Sequence, residues 1–224
     1  MIDKFVPDLA TAMDGVGDGS IILLPGFGNG MAETLVEGLL AQGASDLTLV
    51  PNSGGRDSGP VADLLASGRV RKLICSFVRA DSVAPRCFAA GKLELEIVPQ
   101  GTLAERLRAA GAGVQAFYTP TGADTLLAEG RETRVINGRN CLLEYPLAGD
   151  VALIDAWEAD RWGNLTHRES ARNYNPVMAT AAKLTIVQSQ HIVELGALDP
   201  EKIATPGIYV DRVLHVPYGE PKVT

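Results

Sequence analysis

Apolar residues in this chain fall in short unbroken runs, separated by segments with helical spacing. Ile21-Ile22-Leu23-Leu24 is continuously apolar, and Leu35, Leu39 and Leu40 then recur on one helix face. A short unbroken run reads as a strand buried on both sides, and three-to-four spacing as an amphipathic helix packed over it. The alternation repeats through the first half. It predicts helices over 7–15, 31–42, 58–68, 83–91 and 103–110, and strands over 20–25, 47–51, 72–77 and 93–98. Repeated strand–helix units predict an α/β fold, an open parallel sheet with helices on both faces. The second half changes texture. Shorter strands are predicted over 132–136, 141–145 and 151–157, the first two joined at Asn137-Gly138. They suggest a small β-rich antiparallel appendage over about 132–160, capping the sheet. A helix over 176–182, with Pro176 near its start, and a strand over 184–187 follow. With no linker, repeat or low-complexity stretch, 1–224 reads as a single domain.

Ligands on open parallel sheets bind outside the carboxyl ends of the strands. Four loops should therefore converge on one edge: Gly26-Phe27-Gly28-Asn29-Gly30, Pro51-Asn52-Ser53-Gly54-Gly55, Ser76-Phe77 and Pro99-Gln100-Gly101-Thr102. The glycine loop lets a ligand approach the backbone, and N–H groups at the next helix start favour negative charge. Turns favour the same residue types, so each loop taken singly is also consistent with a plain connection.

Composition narrows the choices. The net charge of −7 argues against non-specific nucleic-acid binding, which needs a basic surface. No apolar run approaches the length of a membrane span, and the N-terminus lacks the form of a signal peptide, so a cytoplasmic location is expected. Cys75, Cys87 and Cys141 form no Cys-x-x-Cys, and Cys75 reads as a core residue. His167, His191 and His215 lack metal-ligand spacing, so no metal site is expected. Gly26-Phe27-Gly28 lacks the third glycine of a dinucleotide fingerprint, and Asn52 stands where an acid would close the following strand. Trp157 and Trp162 read as core or interface residues.

The sharpest block is Val98-Pro99-Gln100-Gly101-Thr102-Leu103-Ala104-Glu105-Arg106. Pro99 ends the strand and presents Gln100 at its tip, where an amide donor can stabilise a developing oxyanion. Thr102 and Glu105 have the spacing of a helix capping box. Asn173 and Asn175 read as caps before Pro176. Arg172 reads first as a partner in a buried ion pair, and second as a contact for an acidic substrate. Arg56, Arg79 and Arg86 are unranked alternatives for a distal carboxylate.

Taken in order, further blocks accompany these. They are Asp18-Gly19-Ser20, Asp46-Leu47-Thr48, Val70-Arg71-Lys72, Gly111-Ala112-Gly113-Val114, Phe117-Tyr118-Thr119-Pro120-Thr121-Gly122, Ala171-Arg172-Asn173-Tyr174-Asn175-Pro176 and Thr205-Pro206-Gly207-Ile208-Tyr209-Val210-Asp211-Arg212-Val213. Together they resemble the α subunit of the two-subunit family I 3-oxoacid CoA-transferases, across nearly the whole chain. Asp160-Arg161-Trp162-Gly163-Asn164-Leu165-Thr166 and Gly91-Lys92-Leu93-Glu94-Leu95-Glu96 are most similar to the 3-oxoadipate (β-ketoadipate) branch.

The resemblance implies ping-pong transfer of CoA from succinyl-CoA to a 3-oxoacid through a glutamyl-CoA thioester. It implies Gln100 as the oxyanion donor, with Gly26, Phe27, Gly28, Asn29, Gly30, Asn52, Phe77, Gly101, Thr119 and Gly122 around the substrate. No permanently bound cofactor is implied, since the CoA thioester is itself the substrate. The family's nucleophile lies in a Ser-Glu-Asn-Gly motif of the companion β subunit. None of Glu33, Glu105, Glu129, Glu144, Glu158 or Glu169 has that context, so a partner chain carrying the glutamate is expected. The loop departs from the family pattern in bearing Pro25 and Ala32 and in being one residue shorter, which bears on acyl preference. Acetoacetate, butyrate and glutaconate are rival acids. A non-catalytic sugar-phosphate-binding protein is the rival of another class.

Overall fold

The unbroken apolar runs become neighbouring strands of one large sheet. The computed structural model describes residues 2–217. In chain order the strands are β1 (Phe5–Val6), β2 (Ile21–Leu24), β3 (Leu47–Pro51), β4 (Val70–Cys75), β5 (Glu94–Ile97), β6 (Phe117–Thr119), β7 (Thr133–Ile136), β8 (Arg139–Glu144), β9 (Gly149–Ala159), β10 (Leu165–Thr166), β11 (Ala182–Ile192) and β12 (Arg212–His215). The helices are α1 (Leu9–Met13), α2 (Glu33–Gln42), α3 (Pro60–Ala66), α4 (Val83–Ala89), α5 (Gln100–Ala112) and α6 (Asn175–Thr180).

The main sheet runs β1-β12-β11-β9-β2-β3-β4-β5, all parallel, with β10 antiparallel on β9. Its two faces are covered separately. Ile22, Leu24, Leu49 and Leu73 pack with residues of α1 to α4, including Met13, Leu35, Leu39 and Leu64. Leu23, Val50, Ile74 and Ile154 point the other way, onto Leu103 and Leu107 of α5 and Met178 of α6. Alternate residues of one run thus feed two cores, which is why β2 and β3 carry no polar face.

The small appendage is real, but its limits differ from the expectation over 132–160. It is a three-stranded antiparallel sheet in the order β6-β8-β7. Asn137 (φ +51) and Gly138 (φ +75) make the tight turn between β7 and β8. The third strand is β6, which pairs Tyr118 with Leu143. The segment 151–157 belongs instead to β9, a central strand of the main sheet held in parallel between β2 and β11. Residues 151–156 are buried throughout, as a strand sandwiched between two helix layers must be. Arg106 of α5 ties the small sheet to the large one. It pairs with Glu96 on β5 at 2.8 Å and donates to Tyr145 O at 3.0 Å. It also lies 3.9 Å from buried Glu144, which Arg131 approaches at 2.9 Å.

Chain direction across the sheet explains where a crevice opens. From β2 the chain winds outward through β3, β4 and β5. It returns to the other side of β2 as β9 and then winds the opposite way through β11 and β12. The β2–β9 junction is the topological switch point, and β2 pairs with β9 only through Ile22–Val151 and Leu23–Ala152. Beyond Leu24, β2 turns away at Gly26, while β9 continues to Ala159 alongside β11.

Candidate active site

The glycine loop fills the mouth of that crevice. Gly26, Gly28 and Gly30 all have positive φ (+132°, +86° and +68°). Gly30 is the most constrained: a Cβ there would collide with the Ala171 carbonyl and lie 2.6 Å from Asn173 Nδ2. The reason is a staple from a distant part of the chain. Asn173 Oδ1 accepts from Gly26 N at 3.0 Å, and its Nδ2 donates to Asn29 O at 3.1 Å. Asn175, fully buried, donates to Gly30 O at 3.0 Å and accepts from Asp155 N of β9 at 2.7 Å. Asn29 Nδ2 donates to Ser170 Oγ at 3.0 Å. These two asparagines therefore do more than the capping expected of them. The residue at the cap of α6 is Tyr174, whose side chain makes no cap bond.

The staple decides which loop donors are left unpaired. Gly26 N–H is taken by Asn173, and Phe27 N–H by Asn29 O at 3.1 Å. Among the described residues, the N–H groups of Gly28, Asn29, Gly30 and Met31 have no acceptor. Those four are the donors that the staple leaves unpaired.

The strand-end loops converge as expected. Ser76 N donates to Asn52 O at 2.9 Å, and Gly54 N to Phe77 O at 2.8 Å. Gln100 opens α5 directly after Pro99, and its Nε2 donates to Asn52 Oδ1 at 2.9 Å. Asn52 is 2% exposed, while Gln100 is exposed, so a buried amide orients an accessible one. One N–H of the Gln100 amide is thereby engaged and the other remains to donate. Tyr174 Oη donates to Gln100 O at 3.2 Å, securing the start of α5 from the opposite side of the switch point. Gly101 beside it is exposed, with open space where a Cβ would stand.

The capping box over 102–105 is overturned. The helix starts three residues earlier than that spacing requires, because Pro99 itself occupies the cap position and its carbonyl accepts from Leu103 N at 2.8 Å. Thr102 is buried within the first turn, its hydroxyl without a partner among the described residues. Glu105 forms an exposed pair with Arg108 at 2.6 Å. Arg172 is likewise not in a buried ion pair: it is exposed, at the end of a 3₁₀ turn over Glu169–Arg172.

Two clefts flank the glycine loop. The smaller, about 460 Å³, lies between it and the 52–61 loop, with Phe27, Asn52, Arg56 and Phe77 in its walls. Phe27 and Phe77 are 57% and 46% exposed, an apolar surface open to an acyl chain. The larger, about 690 Å³, lies over the uncovered ends of β9 and β11, walled by Asp155, Trp157, His167, Glu169 and Gln188. Phe27 to Gly30 and Arg56 line this cleft too, but its strand-end wall is one the sequence does not predict. Buried Gln188 donates to Asp155 Oδ1 at 3.0 Å. The Arg168 guanidinium stacks 4.6 Å above the Trp157 ring. Glu169 holds φ at +48°, uncommon for a side chain of that kind. His167 contacts Asp155 O and Thr205 Oγ1, each at 3.0 Å. A carbonyl only accepts, so Nδ1 carries the proton and Nε2 accepts from Thr205. Burial is the main cause that lowers the His167 pKa to about 4, aided by the charge of Arg172, so the ring is neutral at physiological pH.

Thr119 and Gly122 stand apart. Thr119 ends β6 of the small sheet and Gly122 is in the turn after it, and neither lines either cleft. Cys75 is fully buried, and loss of hydration raises its thiol to about 11, consistent with a core role. Among the described residues, no group of three or more His, Cys, Asp or Glu could hold a metal ion. No described helix is long and apolar enough to cross a membrane.

A parallel sheet with unpaired backbone donors and a held amide along its strand-end edge defines an α/β protein with a candidate ligand site there. The chain belongs to the coenzyme A transferase family, whose model matches residues 6–215. It is 55% identical to the α subunit of the 3-oxoadipate CoA-transferase of Pseudomonas putida, over 96% of this chain and 95% of that one. It is 48% identical to the corresponding subunit of the probable succinyl-CoA:3-ketoacid coenzyme A transferase of Bacillus subtilis, covering 89% of this chain and 84% of that one. Among solved structures, an acyl-CoA transferase of Escherichia coli O157:H7 superposes with a TM-score of 0.84 at 22% identity, over 96% of this chain. The chain spans 47% of that protein's length.

Proposed function

We propose that this chain is the α subunit of a heteromeric CoA-transferase that moves CoA from succinyl-CoA to a 3-oxoacid, with 3-oxoadipate the preferred acceptor. The observation that carries the reading is Gln100, an exposed amide oriented by buried Asn52 at the strand-end edge. Placed against a thioester carbonyl, the remaining Gln100 N–H stabilises the oxyanion as it forms. The free N–H groups of Gly28 to Met31 and the exposed rings of Phe27 and Phe77 are the contacts assigned to the acyl-CoA, and Gly101 leaves room beside Gln100. Thr119 and Gly122 fit contacts made only when the partner chain closes the site.

The nucleophile is assigned to the partner. Its glutamate carboxylate attacks the thioester carbon, the tetrahedral oxyanion collapses, and CoA thiolate leaves an acyl-glutamyl anhydride. Thiolate then attacks the glutamyl carbonyl, releasing succinate and leaving a glutamyl-CoA thioester. The acceptor carboxylate takes CoA by the same steps reversed. Buried Glu144 is held by arginines and Glu105 by Arg108. Glu33 and Glu169 line clefts, yet neither stands in the motif that carries the nucleophile. A cytoplasmic enzyme fits this assignment.

The test is co-purification with a second chain bearing Ser-Glu-Asn-Gly, followed by assay of succinyl-CoA with 3-oxoadipate and with acetoacetate. Turnover only with both chains, faster on 3-oxoadipate, is expected. Turnover by this chain alone sinks the partner assignment, and no turnover with any 3-oxoacid sinks the activity.

A further inference from the structure

The ridge between the two clefts carries a cation that the fold does not use. Arg56 lines both clefts, on the loop that follows β3. Arg172 lines neither cleft, and three other arginines around this edge are engaged. Arg86 pairs with Asp57 at 2.5 Å, Arg79 with Asp81 at 3.6 Å, and Arg168 stacks on Trp157. Arg56 is exposed and makes no ion pair or side-chain hydrogen bond among the described residues. It is also the lone cation in the wall of the smaller cleft, on a chain of net charge −7.

Its backbone is nonetheless well placed. The base of the loop is tied to the next strand end by the Ser76–Asn52 and Gly54–Phe77 hydrogen bonds and by the Ser53–Phe77 bridge. Asn52, which orients Gln100, and Arg56 thus belong to one short anchored stretch. Asn52, hydrogen-bonded to Gln100, and Arg56 stand at opposite ends of it. A guanidinium presents a rigid fork of donors that matches carboxylate and phosphate oxygens, and hydrogen bonds between charged groups exceed neutral ones in strength.

We infer that Arg56 is the residue that recognises an anionic group of the bound substrate, clamping a carboxylate or phosphate where the two clefts meet. The inference rests on the CoA-transferase reading. Two parts of the substrates carry such oxygens: the distal carboxylate of a dicarboxylic acyl group, and the phosphates of CoA.

The test uses the two-subunit enzyme with Arg56→Gln and Arg56→Lys. It follows exchange of labelled acid into three thioesters: succinyl-CoA, butyryl-CoA and butyryl-pantetheine, each compared with the wild-type rate on the same compound. A fall in kcat/KM of about tenfold or more on succinyl-CoA, with less than about twofold on butyryl-CoA, supports the inference and identifies the carboxylate. A similar fall on both CoA thioesters, with butyryl-pantetheine unchanged, supports it and identifies the phosphates. In either case Lys should restore only part of the loss, because it keeps the charge without the fork. Unchanged exchange on all three, or an equal fall on all three, overturns it. Absence of exchange in the wild-type enzyme is a different result, which refutes the transferase reading itself.

Discussion

The two clefts share residues such as Phe27, Asn29 and Arg56, but the rest of their walls are built from different materials. The smaller is walled by loop backbone and by side chains that reach into solvent: Phe27, Phe77, Arg56, and the Gln100 amide beside it. The larger lies on strand ends whose polar groups are largely engaged with one another: Gln188 Nε2 on Asp155, and His167 between Asp155 and Thr205, while buried Gln188 Oε1 has no partner among the described residues. Open donors and apolar rings suit a site that must accept and release a substrate. Polar groups tied to one another suit a wall that must hold its shape. Under the proposed function, the difference separates residues assigned to the chemistry from residues that hold the loop.

The sharpest way to break this separation is Gln100→Ala. Removing an oxyanion donor should lower kcat of the two-subunit enzyme by about 10²–10³-fold, with the melting temperature nearly unchanged. A loss below about threefold would remove Gln100 from the chemistry.

His167 should do the reverse, through stability. The folded ring has a pKa near 4 against 6.5 ordinarily, so the unfolded chain takes the proton first as pH falls. Stability from this group is complete above about pH 6.5, declines between 6.5 and 4, and levels off below, where the folded ring also protonates. The difference amounts to about 3 kcal/mol. Chemical denaturation across that range should reveal this slope, and His167→Gln should flatten it. An unchanged slope in the variant would move the effect elsewhere.

Asn173→Ala should sit between the two. Freeing Gly26 N–H and Asn29 O should cost about 1–3 kcal/mol and also raise KM, since the loop then loses its fixed orientation. A stability loss with KM unchanged would make the staple purely architectural. Asn52→Ala should give the smallest change, about a tenfold loss in kcat, because Gln100 stays present but unguided. Wild-type kinetics in that variant would show the pair to be incidental.

The smaller cleft is legible from the sequence and the strand-end wall of the larger is not, for a physical reason. Strands β2 to β5 are bounded by Gly, Pro, Asn and Ser, and their carboxyl ends follow from strand–helix alternation alone. Thus Gly26 to Gly30, Asn52, Phe77 and Gln100 group together on pattern alone. The larger cleft depends on which strand lies beside β2. That neighbour is β9, more than 100 residues later in the chain and preceded by a genuine Asn-Gly hairpin that draws 151–157 into the expected appendage. Side-chain patterning cannot name a strand's neighbour, only that both its faces are buried. Asn173 and Asn175 mislead for a related reason. Before a proline, Asn fits a cap, and a bond across 147 residues leaves no local mark. Thr102 and Glu105 mislead differently: the spacing is right, but Pro99 has already started the helix.

The staple from Asn173 also limits how the protein can vary. Gly30 and Ala171 touch so closely that a methyl group on the first requires the backbone of the second to shift. Asn29 and Ser170 are bound side chain to side chain. Two stretches lying at distant points of the gene are therefore one unit under selection. A change in the glycine loop will be tolerated chiefly when residues 170–175 change with it, so libraries that vary one stretch should randomise both together.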